Sequence, residues 1–130
     1  MAKVSRETAS HVVDIGVLVS RSEEVDGTTI EFTSFRKDAD ATPFFEGLPD
    51  GRCQSRHWGY VLQGRVTLRY ADREEVYEAG DAYYAPPGHI PVVMAGTEVV
   101  EFSPTESLGQ TMEVVTRNME EMAPPPDAPP

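Results

Sequence analysis

Three side chains able to hold a transition metal or to move a proton stand out in this sequence: Cys53, His57 and His89. Cys53 is the only cysteine, and His57 and His89 are two of the three histidines. Cys53 and His57 open the stretch "CQSRHWGYVLQG", which begins polar and basic and ends as an apolar strand entering a turn. Side chains alternate faces along a strand, so every second residue shares a side. One side reads Cys53, Ser55, His57, Gly59, Val61; the other reads Gln54, Arg56, Trp58, Tyr60, Leu62. The first side is expected to look into whatever the sheet encloses. Imidazole and thiolate suit zinc, nickel, iron or copper, and three protein ligands leave a position open for water or substrate. A flat strand would hold Cys53 and His57 about 13 Å apart, so one ion can reach both only if the chain bends. The same separation argues against His57 acting as base for a nucleophilic Cys53.

Each of these residues also has a plainer reading. A lone buried cysteine often serves as a small apolar core residue. His57 could hydrogen-bond Tyr83, Tyr84 or a carbonyl, and His89, beside Pro87 and Gly88, could be a loop histidine at a rim. Ser55, Tyr83 and Tyr84 are the candidate lining of a ligand pocket around the three. His11, at the head of an N-terminal strand, reads as a surface residue. No Gly-rich phosphate loop, zinc-knuckle pair or Ser-His-Asp pattern on suitable elements is present.

The elements that must position these residues are short strands. "HVVDIGVLVS", "TTIEFTSF", "HWGYVLQG", "RVTLRY", "EVYEAG", "AYYAPPG", "PVVMAG", "TEVVEFSP" and "TMEVVTR" are rich in branched and aromatic residues between Gly, Pro and Asp punctuation. No internal repeat and no long helical period stands out. An antiparallel sandwich or barrel is the expected class. Between strands, "RKDADATPFFEGLPDG" reads either as a lid or as a connector whose Phe44 and Phe45 plug one end of the barrel. Residues 119–130 close on "APPPDAPP" and read as a disordered Pro-rich tail. The expected layout is one domain over 1–118 with its core at 51–103.

Residues 53–102 resemble the core of a small single-domain cupin. His57 occupies the glutamate slot of the first cupin motif, "WGYVLQ" supplies the six following residues, and Gly64 closes it. Fifteen residues later the second motif reads "GDAYYAPPGH", with Gly80, Pro86 and Gly88 in place. The resemblance implies an all-β, cupin-type double-stranded β-helix, a jelly-roll barrel. It also implies a metal site, but the usual ligand positions differ. The first motif's two histidine slots hold Gly51 and Cys53, the second motif's histidine slot holds Pro91, and its closing Asn slot holds Ala95. The chain looks most like a divergent group with Cys and His before "GYVL" and "PPGH" in the second motif. There His89 keeps the strand parity of residue 91 and is expected to reach inward.

Composition narrows the functional classes. The 130 residues carry 22 acidic and 11 basic side chains, a formal net charge of -11, which disfavours nucleic acid and anionic membrane as partners. One cysteine makes no internal disulfide, and the opening "MAKVSRETAS" lacks an apolar signal stretch, so a cytoplasmic location is expected. Trp58, Tyr60 and Leu62 form an apolar stripe on the outer face, expected to pair two copies as a homodimer or to be covered by the N-terminal strand. Two functions remain open: a metal-dependent oxygenase, isomerase or lyase acting on a small organic molecule, or a metal-free barrel that binds or senses one.

Overall fold

The chain begins with two glycine-punctuated hairpins, as the computed structural model, which describes residues 3–122, lays them out. The run "HVVDIGVLVS", expected as one strand, is two: β1 (His11–Asp14) and β2 (Leu18–Val25), paired antiparallel. The Asp14 carboxylate accepts the Gly16 amide at 3.0 Å, and Gly16 takes a φ of +87°, open to glycine and strained for other residues. A lone glycine inside an apolar run concealed this turn. Asp26 and Gly27, both at positive φ, then lead into β3 (Thr28–Phe35).

The remaining strands follow in order: β4 (Ala39–Asp40), β5 (His57–Gln63), β6 (Arg65–Arg69), β7 (Glu74–Glu78), β8 (Ala82–Ala85), β9 (Ile90–Val93) and β10 (Glu98–Pro104). They form two antiparallel sheets, six strands in the order β1-β2-β3-β10-β5-β8 and four in the order β4-β9-β6-β7. This is the jelly-roll expected from the motifs. At one end the sheets enclose an apolar core that includes Val61 and Val99 from the first sheet and Val66, Leu68 and Val93 from the second. Each such side chain contributes about 1.5–3 kcal/mol by leaving water.

The six-stranded sheet lays interior side chains in rows. Ser20, Thr33, Val99 and Val61 make one row, and Ser22, Glu31, Glu101, Gly59 and Tyr83 make the next. A third contains Thr29 and Ser103 on one side and His57 and Ala85 on the other. The interior therefore changes from apolar to polar along the strands. The stripe of Trp58, Tyr60 and Leu62 lies on the outer face, with 42–48% of each exposed. The N-terminal strands do not cover it, because β1 and β2 extend the sheet beyond β3 at the far edge.

One expected strand is a helix. "TMEVVTR" lies within α1 (Thr105–Met122). Residues 119–122, expected in the tail, form its last turn, while 123–130 lie outside the described residues. The inward positions Thr111, Val115 and Asn118 have helical spacing, but two of the three are polar, so hydrophobic periodicity does not reveal them. Their polar atoms are used in place. The Asn118 amide donates to the Phe44 carbonyl at 2.7 Å and to the Glu46 carbonyl at 2.8 Å. This fastens α1 over the 3-10 turn Thr42–Phe45, where buried Phe45 meets Val115 and Cys53. The phenylalanine segment is thus a plug at one end of the barrel. Asn118→Ala would leave two carbonyls without their donor and should cost about 1–3 kcal/mol, read as a lower midpoint in urea unfolding with unchanged slope.

Candidate metal centre

Burial along the chain alternates strictly from Cys53 to Leu62, buried at each odd position and exposed at each even one. Cys53, Ser55 and His57 therefore face inward together, at 2%, 0% and 7% exposure. The strand proper starts only at His57, and the segment before it turns. Cys53 is pinned separately. Its amide donates to the His89 carbonyl at 3.0 Å, and its carbonyl accepts the Gly88 amide at 2.8 Å. Gly88 makes the approach at a φ of +102°. The bend shortens the distance that a flat strand would impose, and Cys53 Sγ lies 3.7 Å from His57 Nε2.

His89 is 1% exposed, and its ring centroid lies 4.9 Å from that of His57. It is no rim residue. One donor atom from each of Cys53, His57 and His89 lies within 4.8 Å of the other two.

Hydrogen bonding fixes which ring nitrogen of His89 is free. His89 Nδ1 sits 2.9 Å from the Pro86 carbonyl, which only accepts, so Nδ1 carries the proton and Nε2 a bare lone pair. Among the described residues, His89 Nε2 is the buried side-chain nitrogen or oxygen left without any partner. His57 Nδ1 lies 2.6 Å from Ser103 Oγ, and Thr111 Oγ1 lies 3.4 Å from Cys53 Sγ. One assignment that satisfies these distances has His57 Nδ1 donating to Ser103, the thiol donating to His57 Nε2, and Thr111 donating to sulfur. Both imidazoles then aim Nε2 at the same space, each oriented through Nδ1, as metal-binding histidines are. Burial pushes both down to about 4, His89 further disfavoured by His57, so both are neutral at ordinary pH. Burial pushes the Cys53 thiol up.

The donor set fits a small divalent ion. Bonds of about 2.0 Å to nitrogen and 2.3 Å to sulfur at tetrahedral angles place those two atoms about 3.5 Å apart, beside the 3.7 Å found here. The orphaned His89 Nε2 supports the same fit, since a buried acceptor without a donor is costly unless something occupies it.

Of the other expected pocket residues, Ser55 is buried and within hydrogen-bond reach of Ser107 at 3.1 Å, and Tyr83 points inward. Tyr84 does not. It is 43% exposed and packs on Trp58 outside the barrel at 5.2 Å, because neighbours on a strand take opposite faces. Gly51, Pro91 and Ala95, at the usual ligand positions, contribute no donor side chain, and His11 is exposed.

Two inward carboxyls were missed. Glu31 and Glu101 face each other across β3 and β10, where the alternation in "TTIEFTSF" would send Glu31 to solvent. Ser20 donates to Glu31 at 2.8 Å, and the Tyr83 hydroxyl donates to Glu101. Desolvation raises both carboxyls.

The cupin domain family matches residues 53–101, the segment that holds the Cys53 bend, His57 and His89. That segment is similar to the cupin domain family, and the chain has the fold of solved cupin structures. Solved cupin structures share its fold. An RmlC-like cupin from Shewanella frigidimarina is 19% identical, covering 78% of this chain and 88% of its own, with a TM-score of 0.55. KdgF from Halomonas sp. is 21% identical over 73% and 86%, with a TM-score of 0.54. The polyketide cyclase RemF from Streptomyces resistomycificus is 16% identical over 81% and 80%, with a TM-score of 0.57. No curated protein matches the chain by sequence.

Two tests follow from this packing. A Cβ at Gly59 would overlap the Tyr83 ring, which crosses that position to reach Glu101. Gly59→Ala should destabilise the protein by about 1–3 kcal/mol, seen as a lower melting temperature and a changed near-ultraviolet tyrosine signal. Glu101→Gln should act with a defined pH dependence. A carboxyl raised in the folded state contributes stability below its unfolded value, and this is lost as pH rises through the folded value. The stability of Glu101→Gln relative to the parent should therefore rise with pH above the ordinary carboxylate range, in urea unfolding at a series of pH values.

Proposed function

We propose that this cupin binds one divalent transition metal of the zinc, nickel, iron or copper class through Cys53 Sγ, His57 Nε2 and His89 Nε2, and acts on a small organic molecule beside it. The observation that carries the reading is the convergence of three buried donors with His89 Nε2 otherwise unpartnered. When bound, such an ion would polarise a carbonyl or acidify a water at its open position. The chain's own residues do the rest. Ser103 and the Pro86 carbonyl orient the two imidazoles, Thr111 holds the sulfur, and Phe45 with α1 keeps bulk water from the Cys53 side. The polyketide cyclase RemF, which shares this fold, supports the view that the fold can carry an enzyme. The alternative, a metal-free binding barrel, is favoured by the missing donors at residues 51, 91 and 95.

Metal analysis separates the two. The parent should take up about one equivalent of zinc or cobalt, and the cobalt form should show a sulfur-to-cobalt charge-transfer band. His57→Ala and His89→Ala should each lower affinity at least about tenfold, and Cys53→Ser should abolish the band. A parent that stays metal-free after incubation with zinc, nickel, iron and copper would leave the metal-free barrel.

We further propose that the cupin is a homodimer paired through its outer sheet face. Register puts Phe102, Trp58 and Tyr84 in one row across β10, β5 and β8, each at least 40% exposed, with Tyr60 and Leu62 alongside. Static light scattering should give twice the chain mass, and Trp58→Ser with Tyr60→Ser should give the monomer.

A further inference from the structure

Tyr70, at the end of β6, backs His89 from the four-stranded sheet. β6 pairs with β9 with Arg69 opposite Ile90, so one step further along that ladder sets Tyr70 beside His89. The Tyr70 side chain is buried, and its ring centroid lies 6.0 Å from that of His89, the planes inclined at 72°. Its hydroxyl donates to the Pro86 carbonyl at 3.2 Å, the same oxygen that accepts His89 Nδ1–H at 2.9 Å. A carbonyl oxygen has two lone pairs, and here there is one donor for each. Pro86 and Pro87 carry no N–H, so this stretch has no backbone donor to fix it, and the Pro86 carbonyl is its polar handle. The next amide, that of Gly88, is spent on the Cys53 carbonyl. Tyr70 is held by contacts of its own. Its amide donates to the Arg73 carbonyl at 2.8 Å, and the Arg73 guanidinium, bonded to Asp72 at 3.0 Å, lies over its ring at 4.2 Å.

From this geometry we infer that Tyr70 is a positioning residue for the centre. Its hydroxyl fixes the Pro86 carbonyl, so that His89 keeps its proton on Nδ1 and presents a bare Nε2 toward the other two donors. Groups that orient a metal-binding imidazole through its far nitrogen govern both its tautomer and its affinity for the ion. The inference rests on the proposed metal site in taking His89 Nε2 as a ligand, whereas the hold on the ring exists with or without an ion.

Tyr70→Phe tests it, because it removes the hydroxyl and keeps the ring. The first measurement is the pair of ring-nitrogen NMR shifts of His89, taken on metal-free protein at neutral pH. In the parent, Nδ1 should be the protonated nitrogen and Nε2 the bare one. In Tyr70→Phe the two shifts should move toward each other as the tautomers mix, while circular dichroism stays that of the parent. A loss of packing alone would lower stability and leave the tautomer where it was. The second measurement is metal binding. Zinc affinity should fall about tenfold, and the ligand-field bands of the cobalt form should shift while the sulfur-to-cobalt band, which reports Cys53, persists. A parent His89 protonated on Nε2, or His89 shifts unchanged in Tyr70→Phe, would overturn the inference. So would moved shifts with zinc affinity and cobalt bands equal to the parent's, since the centre would then not need the hydroxyl. If neither ion binds the parent and the His89 shifts still move, the metal centre fails and the hold of Tyr70 on His89 stands. If both ions bind the parent and Tyr70→Phe matches it in every reading, the inference alone fails.

Discussion

The backbone pairing of Cys53 with His89 is the constraint on which the site depends. Two amide hydrogen bonds join residues 53 and 88–89, and they do so just before β5 takes up its pairing with β8 at His57. The chain must therefore bend between Cys53 and His57, and the bend brings two side chains of equal parity to within 3.7 Å. The same pairing draws His89 inward beside them. Gly88 permits it by adopting a positive φ, and the Pro86 carbonyl then fixes the tautomer of His89. Three ligand positions and one ring orientation thus follow from one short irregular ladder.

A second constraint is the inversion of polarity across the six-stranded sheet. In β3 and β10 the apolar residues Ile30, Phe32, Val100 and Phe102 occupy the outer parity, while Thr29, Glu31, Glu101 and Ser103 face in. Enclosing a carboxyl costs free energy unless it finds donors or a proton. Here Ser20 and Tyr83 serve as donors, and desolvation favours the protonated form. Tyr83 can serve only because Gly59 leaves room for its ring to cross β5. A polar interior is a poor core, and stability rests instead on the valine and leucine cluster at the other end and on the Phe45–Val115 contact.

Much of this was legible in the chain, and what was not has specific causes. Parity along "CQSRHWGYV" placed Cys53, Ser55 and His57 together, and the residue 91 parity placed His89 inward. The spacing of Gly64, Gly80 and Gly88 marked the cupin core that the family match and the structure share. Tyr84 cannot share the interior with Tyr83, because neighbours on a strand must part. Glu31 and Glu101 were missed because apolar alternation is ordinarily read with the apolar face inside, and this sheet reverses it. The helix was missed because Thr111 and Asn118 occupy its buried face, so its period is visible only once their hydrogen bonds are known.

These features together set how a molecule could approach the centre. Cys53 belongs to both the donor cluster and the small core of Phe45 and Val115, so the end of the barrel under α1 is packed shut and tied by Asn118. Cys53, His57 and His89 are all buried, whereas Glu31 and Glu101 keep accessible surface despite the protein around them. Thr111 of the same helix lies 3.4 Å from the Cys53 sulfur, so the helix that closes this end of the barrel also positions one of the three donors.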